Sequence, residues 1–188
     1  MGETLIVLTL EVAGEEGAAG PELSFIEAHQ ADGPGYARAI GTDSASTFAA
    51  RLSPTTRCFL VELSGRIAHA SWVTTSAAWT RELGGYFRPP AGDAYVYESY
   101  TRSDVRGRGI YPYALANIAR WGHERGLGSL WIAVESGNRA SLRAIAKAGF
   151  TPAFQLAYKR RLGRVNLGPA EGPLAGLGDR ALALSPHP

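Results

Sequence analysis

The sequence predicts an α/β fold, a mixed sheet with one parallel βαβ unit at its centre. Two observations carry this. Cys58–Leu63, Ser64-Gly65 and Arg66–Thr75 read as two strands around a tight turn, which requires an antiparallel pair. Further on, an apolar run rich in β-formers (Ala94–Thr101) leads through an Arg/Gly loop into an amphipathic helix and then a second apolar run (Ser129–Glu135). Strand, helix and strand in that order make a crossover, so the two flanking strands should run parallel.

From the N-terminus, Leu5–Val12 reads as a strand, Gly14–Gly20 as a small-residue loop and Leu23–His29 as a short strand. Tyr36–Leu52 is alanine-rich and predicts one or two short helices. Ala77–Asp93, with Gly84-Gly85 and Pro89-Pro90, reads as irregular. The helix after the Arg/Gly loop puts Tyr111, Leu115, Ile118, Ala119 and Gly122 on one face, has Pro112 in its first turn and closes at Arg125-Gly126. Asn138 is a good N-cap for a second helix that shows Leu142, Ile145 and Ala146 on one face and ends at Gly149. Phe154–Leu162 is the last expected strand. The division expected is one domain over 1–163, then a loosely ordered Gly/Ala/Pro-rich tail over 164–188, unless its leucines cover a groove.

The chain has 188 residues, 45% hydrophobic and 19% charged, with a net charge of +2, as an ordinary globular domain does. Nothing in this balance, and no zinc-finger or basic-helix pattern, calls for nucleic acid. The single Cys58 excludes an internal disulfide, and His29, His69, His123 and His187 lack metal-ligand spacing, so no metal is expected. No apolar run is long enough to span a membrane. The cytoplasm is the expected location, without a membrane partner, and a homodimer is left open.

The chemistry concentrates in Thr101-Arg-Ser-Asp-Val-Arg-Gly-Arg-Gly-Ile-Tyr-Pro112. A glycine-rich turn entering a helix leaves backbone N–H groups unpaired at the positive end of the helix dipole, which suits an anion. Gly107 and Gly109 allow a close backbone approach, and Arg106 and Arg108 add charge that pairs with phosphate oxygens. The loop is not a P-loop, since the chain has no Gly-Lys pair, nor a dinucleotide fingerprint, since position 112 is Pro.

Arg106-x-x-Gly109 within Val-Arg-Gly-Arg-Gly-Ile resembles motif A (Arg/Gln-x-x-Gly-x-Gly/Ala) of the GCN5-related N-acetyltransferase (GNAT) superfamily, with Tyr111 where the pattern has a small residue. Asn138-Arg-Ala-Ser141-Leu-Arg-Ala-Ile-Ala-Lys147-Ala-Gly149-Phe150 resembles its motif B. The resemblance covers about residues 58–162. It implies a GNAT-type twisted, mostly antiparallel sheet with helices on both faces. It also implies acetyl-CoA, or another acyl-CoA, as co-substrate, and direct transfer to the amine of a small molecule in a ternary complex. Ser99, Tyr100 and Thr101 would hydrogen-bond the pantetheine arm by strand addition. Arg106, Gly107, Arg108, Gly109, Ile110 and Tyr111 would take the pyrophosphate, and Asn138 and Ser141 the distal arm or the thiol end. The N–H of Tyr100 or a neighbour would stabilise the oxyanion.

Glu98 is the candidate general base, since Val96, Glu98 and Tyr100 are expected to share one strand face and the resemblance places a catalytic carboxylate near this point. A salt-bridge role, or contact with a substrate cation, is the alternative. Many relatives carry Tyr at the position of Ile145, so the general acid is missing there, and Tyr111 or Tyr158 could replace it. Trp72, Trp79, Tyr86 and Phe87 are either core or an acceptor surface, and Arg81 and Arg88 either solvated charges or contacts to an acceptor. A longer acyl chain, an acyl carrier protein donor, or a catalytically silent acyl-CoA-binding module are the competing readings.

Overall fold

The computed structural model describes residues 3–13, 22–161 and 164–181; the expected loop Gly14–Gly20 lies outside them. The elements are β1 (Glu3–Glu11), β2 (Leu23–Glu27), α1 (Gly33–Ala39), α2 (Ala45–Arg51), β3 (Thr56–Leu63), β4 (Arg66–Thr74), β5 (Ala78–Thr80), β6 (Gly85–Phe87), β7 (Ala94–Thr101), α3 (Ile110–Glu124), β8 (Ser129–Glu135), α4 (Arg139–Lys147), β9 (Thr151–Arg161), β10 (Arg164–Glu171) and α5 (Ala175–Ala181). Eight strands form one sheet in the order β10-β9-β1-β8-β7-β4-β3-β2, with β5 and β6 a separate pair. Only β7 and β8 run parallel in the large sheet; the other described pairs are antiparallel.

The predicted β3–β4 hairpin forms, turning through Ser64 (φ 50°) and Gly65 (φ 73°), the left-handed pair that a two-residue turn on twisted strands needs. Helix α3 begins after Gly109 and closes before Gly126 (φ 71°). Its buried face, including Leu115, Ile118 and Ala119, packs with Val96, Ile132 and Ile145 on one side of the sheet. On the other side, α1 and α2 close over Tyr36, Phe48 and Trp72, while the β5–β6 pair and α5 cover Phe87, Trp131 and Phe154. The helices therefore lie on both faces. None of them is long and apolar enough to cross a membrane.

Three expectations change. Ala77–Asp93 is not irregular throughout, because Ala78↔Phe87 to Thr80↔Gly85 pair as a short hairpin. What holds strands of three residues is tertiary: Phe87 is buried with its ring 4.4 Å from that of Tyr95. On α4, Ala146 is exposed and Leu142 and Ala148 flank Ile145 at the core instead. Finally, residues 164–181 are not a loose tail. Strand β10 pairs with β9 from Arg164↔Arg161 to Glu171↔Gln155 at the sheet edge. There is no spare room where it packs: a Cβ on Gly84 would lie 2.8 Å from Val165, and one on Gly178 would lie 2.8 Å from Ala170. Long cross-strand contacts, not local propensity, order this segment, and they carry the domain past residue 163.

Candidate acyl-transfer site

The site begins where two parallel strands part. β7 and β8 pair at Ala94↔Leu130, Tyr95↔Trp131 and Val96↔Ile132, and the ladder ends there. Beyond Val96 the β8-facing edge of β7 is open to an extended ligand. On its other edge, His69↔Thr101 and Ala70↔Tyr100 give way to Trp72↔Tyr97, so Ser71 faces both Glu98 and Ser99. This is a β-bulge, with Glu98 at φ 46°. A left-handed conformation at a non-glycine residue costs on the order of 1 kcal/mol.

The bulge corrects the expected strand face. Val96 packs on the α3 side, whereas Glu98 reaches Arg51 of α2 and Tyr100 packs beside Trp72 on the opposite side. Val96, Glu98 and Tyr100 do not share a face, because the extra residue breaks the two-residue alternation between the first and the other two.

A cavity of about 540 Å³ lies along the open edge. It is lined by Ser99, Tyr100, Thr101, Arg106, Gly107, Gly109, Ile110, Tyr111, Asn138 and Ser141, together with Arg143 and Lys147 of α4. Arg108, predicted with them, is exposed and does not line it. Gly107 (φ 81°) and Gly109 (φ 75°) have nothing within 4 Å of where a Cβ would stand, so backbone angle rather than crowding requires glycine at both. Among the described residues no protein acceptor meets the N–H groups of Gly107, Arg108, Gly109, Ile110 or Tyr111. The loop thus holds a row of free donors at the start of a 15-residue helix. Arg106 Nε donates to the Thr101 carbonyl at 3.1 Å, tying the loop to the end of β7. Asn138 Oδ1 accepts from the Ser141 N–H at 3.2 Å and caps α4.

A second cavity of about 440 Å³ meets the first at Ser99, Tyr111, Asn138 and Ser141. Its charges are of the other sign: Glu82, Glu98 and Glu135 line it, with Arg81 alone against them. Arg81 is 76% exposed and lies 3.6 Å from Glu82. Trp79 offers the cavity an indole that is 53% exposed, while Trp72 and Phe87 are fully buried core. Arg88 is not among its lining residues. Glu98 Oε2 is 2.8 Å from Arg51 Nη2; Arg51 also pairs with Asp43 and stacks 3.9 Å above Trp72. The salt-bridge alternative for Glu98 is therefore present in the structure, and the carboxylate nonetheless faces the cavity, its side chain 49% exposed.

Sequence reasoning passed over His69. It is fully buried on β4, its Nδ1 2.7 Å from Thr101 Oγ1 and its Nε2 2.8 Å from Ser71 Oγ. Ser71 Oγ is in turn 2.7 Å from Ser99 Oγ. The chain Thr101–His69–Ser71–Ser99 thus starts and ends on residues that line the first cavity, and the Tyr111 ring packs 5.2 Å from that of His69. Burial pushes the His69 imidazole down to about 3, so the ring is neutral, and pushes the Tyr111 hydroxyl up to about 12. The signal was His69 and Ser71 alternating on a strand otherwise apolar, opposite Ser99 and Thr101 with the same spacing.

Tyr158, the other candidate acid, donates to Glu135 Oε1 at 2.7 Å and lines neither cavity; burial, then its carboxylate neighbours, raises its pKa. Ile145 is fully buried in the core and lines neither cavity. Cys58 is also fully buried, and burial pushes its thiol up, away from the thiolate a nucleophile needs. The described residues contain no cluster of three or more metal-ligating side chains.

Residues 25–150 match the acetyltransferase (GNAT) family. The chain belongs to that family. GNAT enzymes use acetyl-CoA as co-substrate, and the free N–H row and unpaired cations of the first cavity suit its phosphates. No curated protein sequence matches the chain. Among solved structures it is similar to a GNAT protein from Sphaerobacter thermophilus, at TM-score 0.64 and 12% identity over 83% of this chain and 50% of that one. It is also similar to the ribosomal-protein-S18-alanine N-acetyltransferase from Escherichia coli, at TM-score 0.54 and 16% identity, covering 69% of this chain and 77% of that one. An aminoglycoside acetyltransferase from an uncultured soil metagenomic sample, solved with sisomicin, gives TM-score 0.54 and 11% identity over 68% of this chain and 88% of that one. The chain spans half the length of the Sphaerobacter protein. At these identities the likeness is one of GNAT fold.

Proposed function

We propose that this protein is an acyl-CoA-dependent N-acyltransferase that moves an acetyl group from acetyl-CoA to the amine of a small cationic molecule. The observation that carries this is the separation of charge between two cavities that meet at Ser99, Tyr111, Asn138 and Ser141: cations and free N–H groups line one, carboxylates the other. A polyanionic donor and a cationic acceptor would approach from opposite sides and meet there. The soil enzyme solved with sisomicin, an aminoglycoside acetyltransferase by its description, gives a precedent on this fold for such an acceptor.

In the transfer the amine nitrogen attacks the thioester carbon, an N–C bond forms and the C–S bond breaks. The amine must first lose its ammonium proton, and Glu98, in the carboxylate-lined cavity, takes it directly or through water. The N–H of Tyr100 or a neighbour beside the bulge stabilises the oxyanion. Tyr111, whose ring packs 5.2 Å from that of His69, donates a hydrogen bond to the departing sulfur, which gains one proton overall as the amine loses one. Its place at the junction of the two cavities supports this role, and the burial of Ile145 removes the usual position from consideration.

Calorimetric titration with acetyl-CoA and CoA, followed by turnover against polyamines and amino sugars, tests the reading. Micromolar donor binding with turnover on a cationic amine is expected. Binding without turnover on any amine would leave a donor-binding module, and no binding of either would sink the proposal.

A further inference from the structure

Among the described residues only two that are not glycine adopt a left-handed backbone: Ser64, in the β3–β4 turn, and Glu98, inside β7. A tight hairpin turn needs that conformation and a strand does not. Strain of this kind persists only where the surroundings over-determine it. The pair between Glu98 and Arg51 is half-exposed and holds a side chain, not a peptide plane. The backbone is held by β4. The Thr101 hydroxyl is 2.7 Å from His69 Nδ1, the Ser99 hydroxyl is 2.7 Å from Ser71 Oγ, and His69 Nε2 joins the two at 2.8 Å from Ser71 Oγ. These two pins stand on either side of Tyr100 and directly after Glu98, across from the register shift between Ala70 and Trp72.

His69 and Ser71 are fully buried, while Ala68, Ala70, Trp72 and Val73 around them form an apolar stretch. An apolar pair at 69 and 71 would fill the same space without burying polar groups, so core filling does not account for them. A neutral imidazole offers one donor and one acceptor, which orders the three bonds head to tail. Straightening the bulge would move Ser99 and Thr101 off these partners, and orphaned buried polar atoms cost more than one left-handed residue. Resting on the acyl-transfer reading, we propose that His69 and Ser71 are positioning residues that lock the β7 bulge. Neither lines a cavity, but Ser99, Tyr100 and Thr101 line the first, and Glu98 and Ser99 the second. The lock keeps the Glu98 carboxylate on the acceptor side and aims the N–H of Tyr100 or its neighbour at the thioester carbonyl. Both groups act on one reacting centre, and the peptide between them has to stay fixed during the transfer.

The test compares the full-length wild type with His69→Leu, Ser71→Ala, the double variant and His69→Gln. Each is assayed for turnover of acetyl-CoA with an amine that the wild type acetylates, and titrated calorimetrically with CoA. His69→Leu and Ser71→Ala should each lower kcat roughly ten- to hundredfold. CoA should still bind at the wild-type stoichiometry, with affinity within about threefold, which shows that the variants fold and separates aim from binding. The double variant should fall no further than the slower single one, because both changes break one network. His69→Gln, which keeps a donor and an acceptor for the two hydroxyls, should keep most of kcat. Should His69→Leu fail to fold, Ser71→Ala, which removes one oxygen, carries the test. Unchanged kcat in the Leu and Ala variants overturns the lock and leaves the acyl-transfer reading intact. Weaker CoA binding at unchanged kcat, additive losses in the double variant, or a Gln variant as slow as the Leu variant also overturn it. A wild type that acetylates no amine overturns the reading, and the lock with it.

Discussion

Acidification from pH 7 to pH 5 should destabilise the fold by about 2 kcal/mol through His69 alone. The ring is fully buried between two hydroxyls, and burial holds its pKa near 3 in the native state against 6.5 when exposed. Below pH 6.5 the unfolded chain takes up a proton that the native state refuses until about pH 3. Stability is therefore complete above pH 6.5 and falls by about 1.4 kcal/mol per unit between these values. At pH 5, about 1.5 units below the unfolded pKa, the loss is about 2 kcal/mol. Urea unfolding at pH 7 and pH 5 measures it, for the wild type and for His69→Gln, which can still donate to one hydroxyl and accept from the other. Carboxylates titrate alike in both proteins and cancel in the comparison. The wild type should lose about 2 kcal/mol more than the variant. Equal losses, or an imidazole seen by NMR to titrate above pH 5, would refute the argument.

Three substitutions test the site. Gly109→Val meets no atom but forces a β-branched residue to φ 75° at the head of α3; donor affinity should fall more than tenfold, and unchanged binding of CoA would remove the loop from the donor site. Glu98→Gln breaks a half-exposed pair with Arg51, so stability should change by under about 1 kcal/mol while kcat falls most at low pH; an unaltered pH–rate profile would make Glu98 structural. Tyr111→Phe keeps the ring that packs 5.2 Å from His69 and removes only the hydroxyl. In that variant kcat should drop roughly ten- to hundredfold, the worth of a hydrogen bond to a charged group, at an unchanged donor KM. A change in KM alone would assign Tyr111 to binding.

The sequence by itself determined the parts whose cause is local. Gly107, Gly109 and Gly126 fix backbone angles that few other residues adopt, Asn138 caps α4, and the apolar spacing of α3 orients that helix on the sheet. The crossover from β7 through α3 to β8 then forces a parallel pair with a glycine-rich loop at its head, so that most residues lining the first cavity lie on one contiguous stretch and the next helix. Tertiary structure decided what depends on partners far along the chain. The β7 bulge exists only against Ser71 of β4, and it moved Glu98 off the face that simple alternation assigned to it. Strand β10 is ordered by β9 and by contacts reaching back to Gly84, though its composition suggested a loose tail. The carboxylate cavity joins Glu82, Glu98 and Glu135 from three separate segments, and the His69 chain joins hydroxyls from β4 and β7. A backbone angle is set by the residue that adopts it. A buried hydrogen bond or a shared cavity is set by which strands lie side by side, and that is settled only when the whole sheet closes.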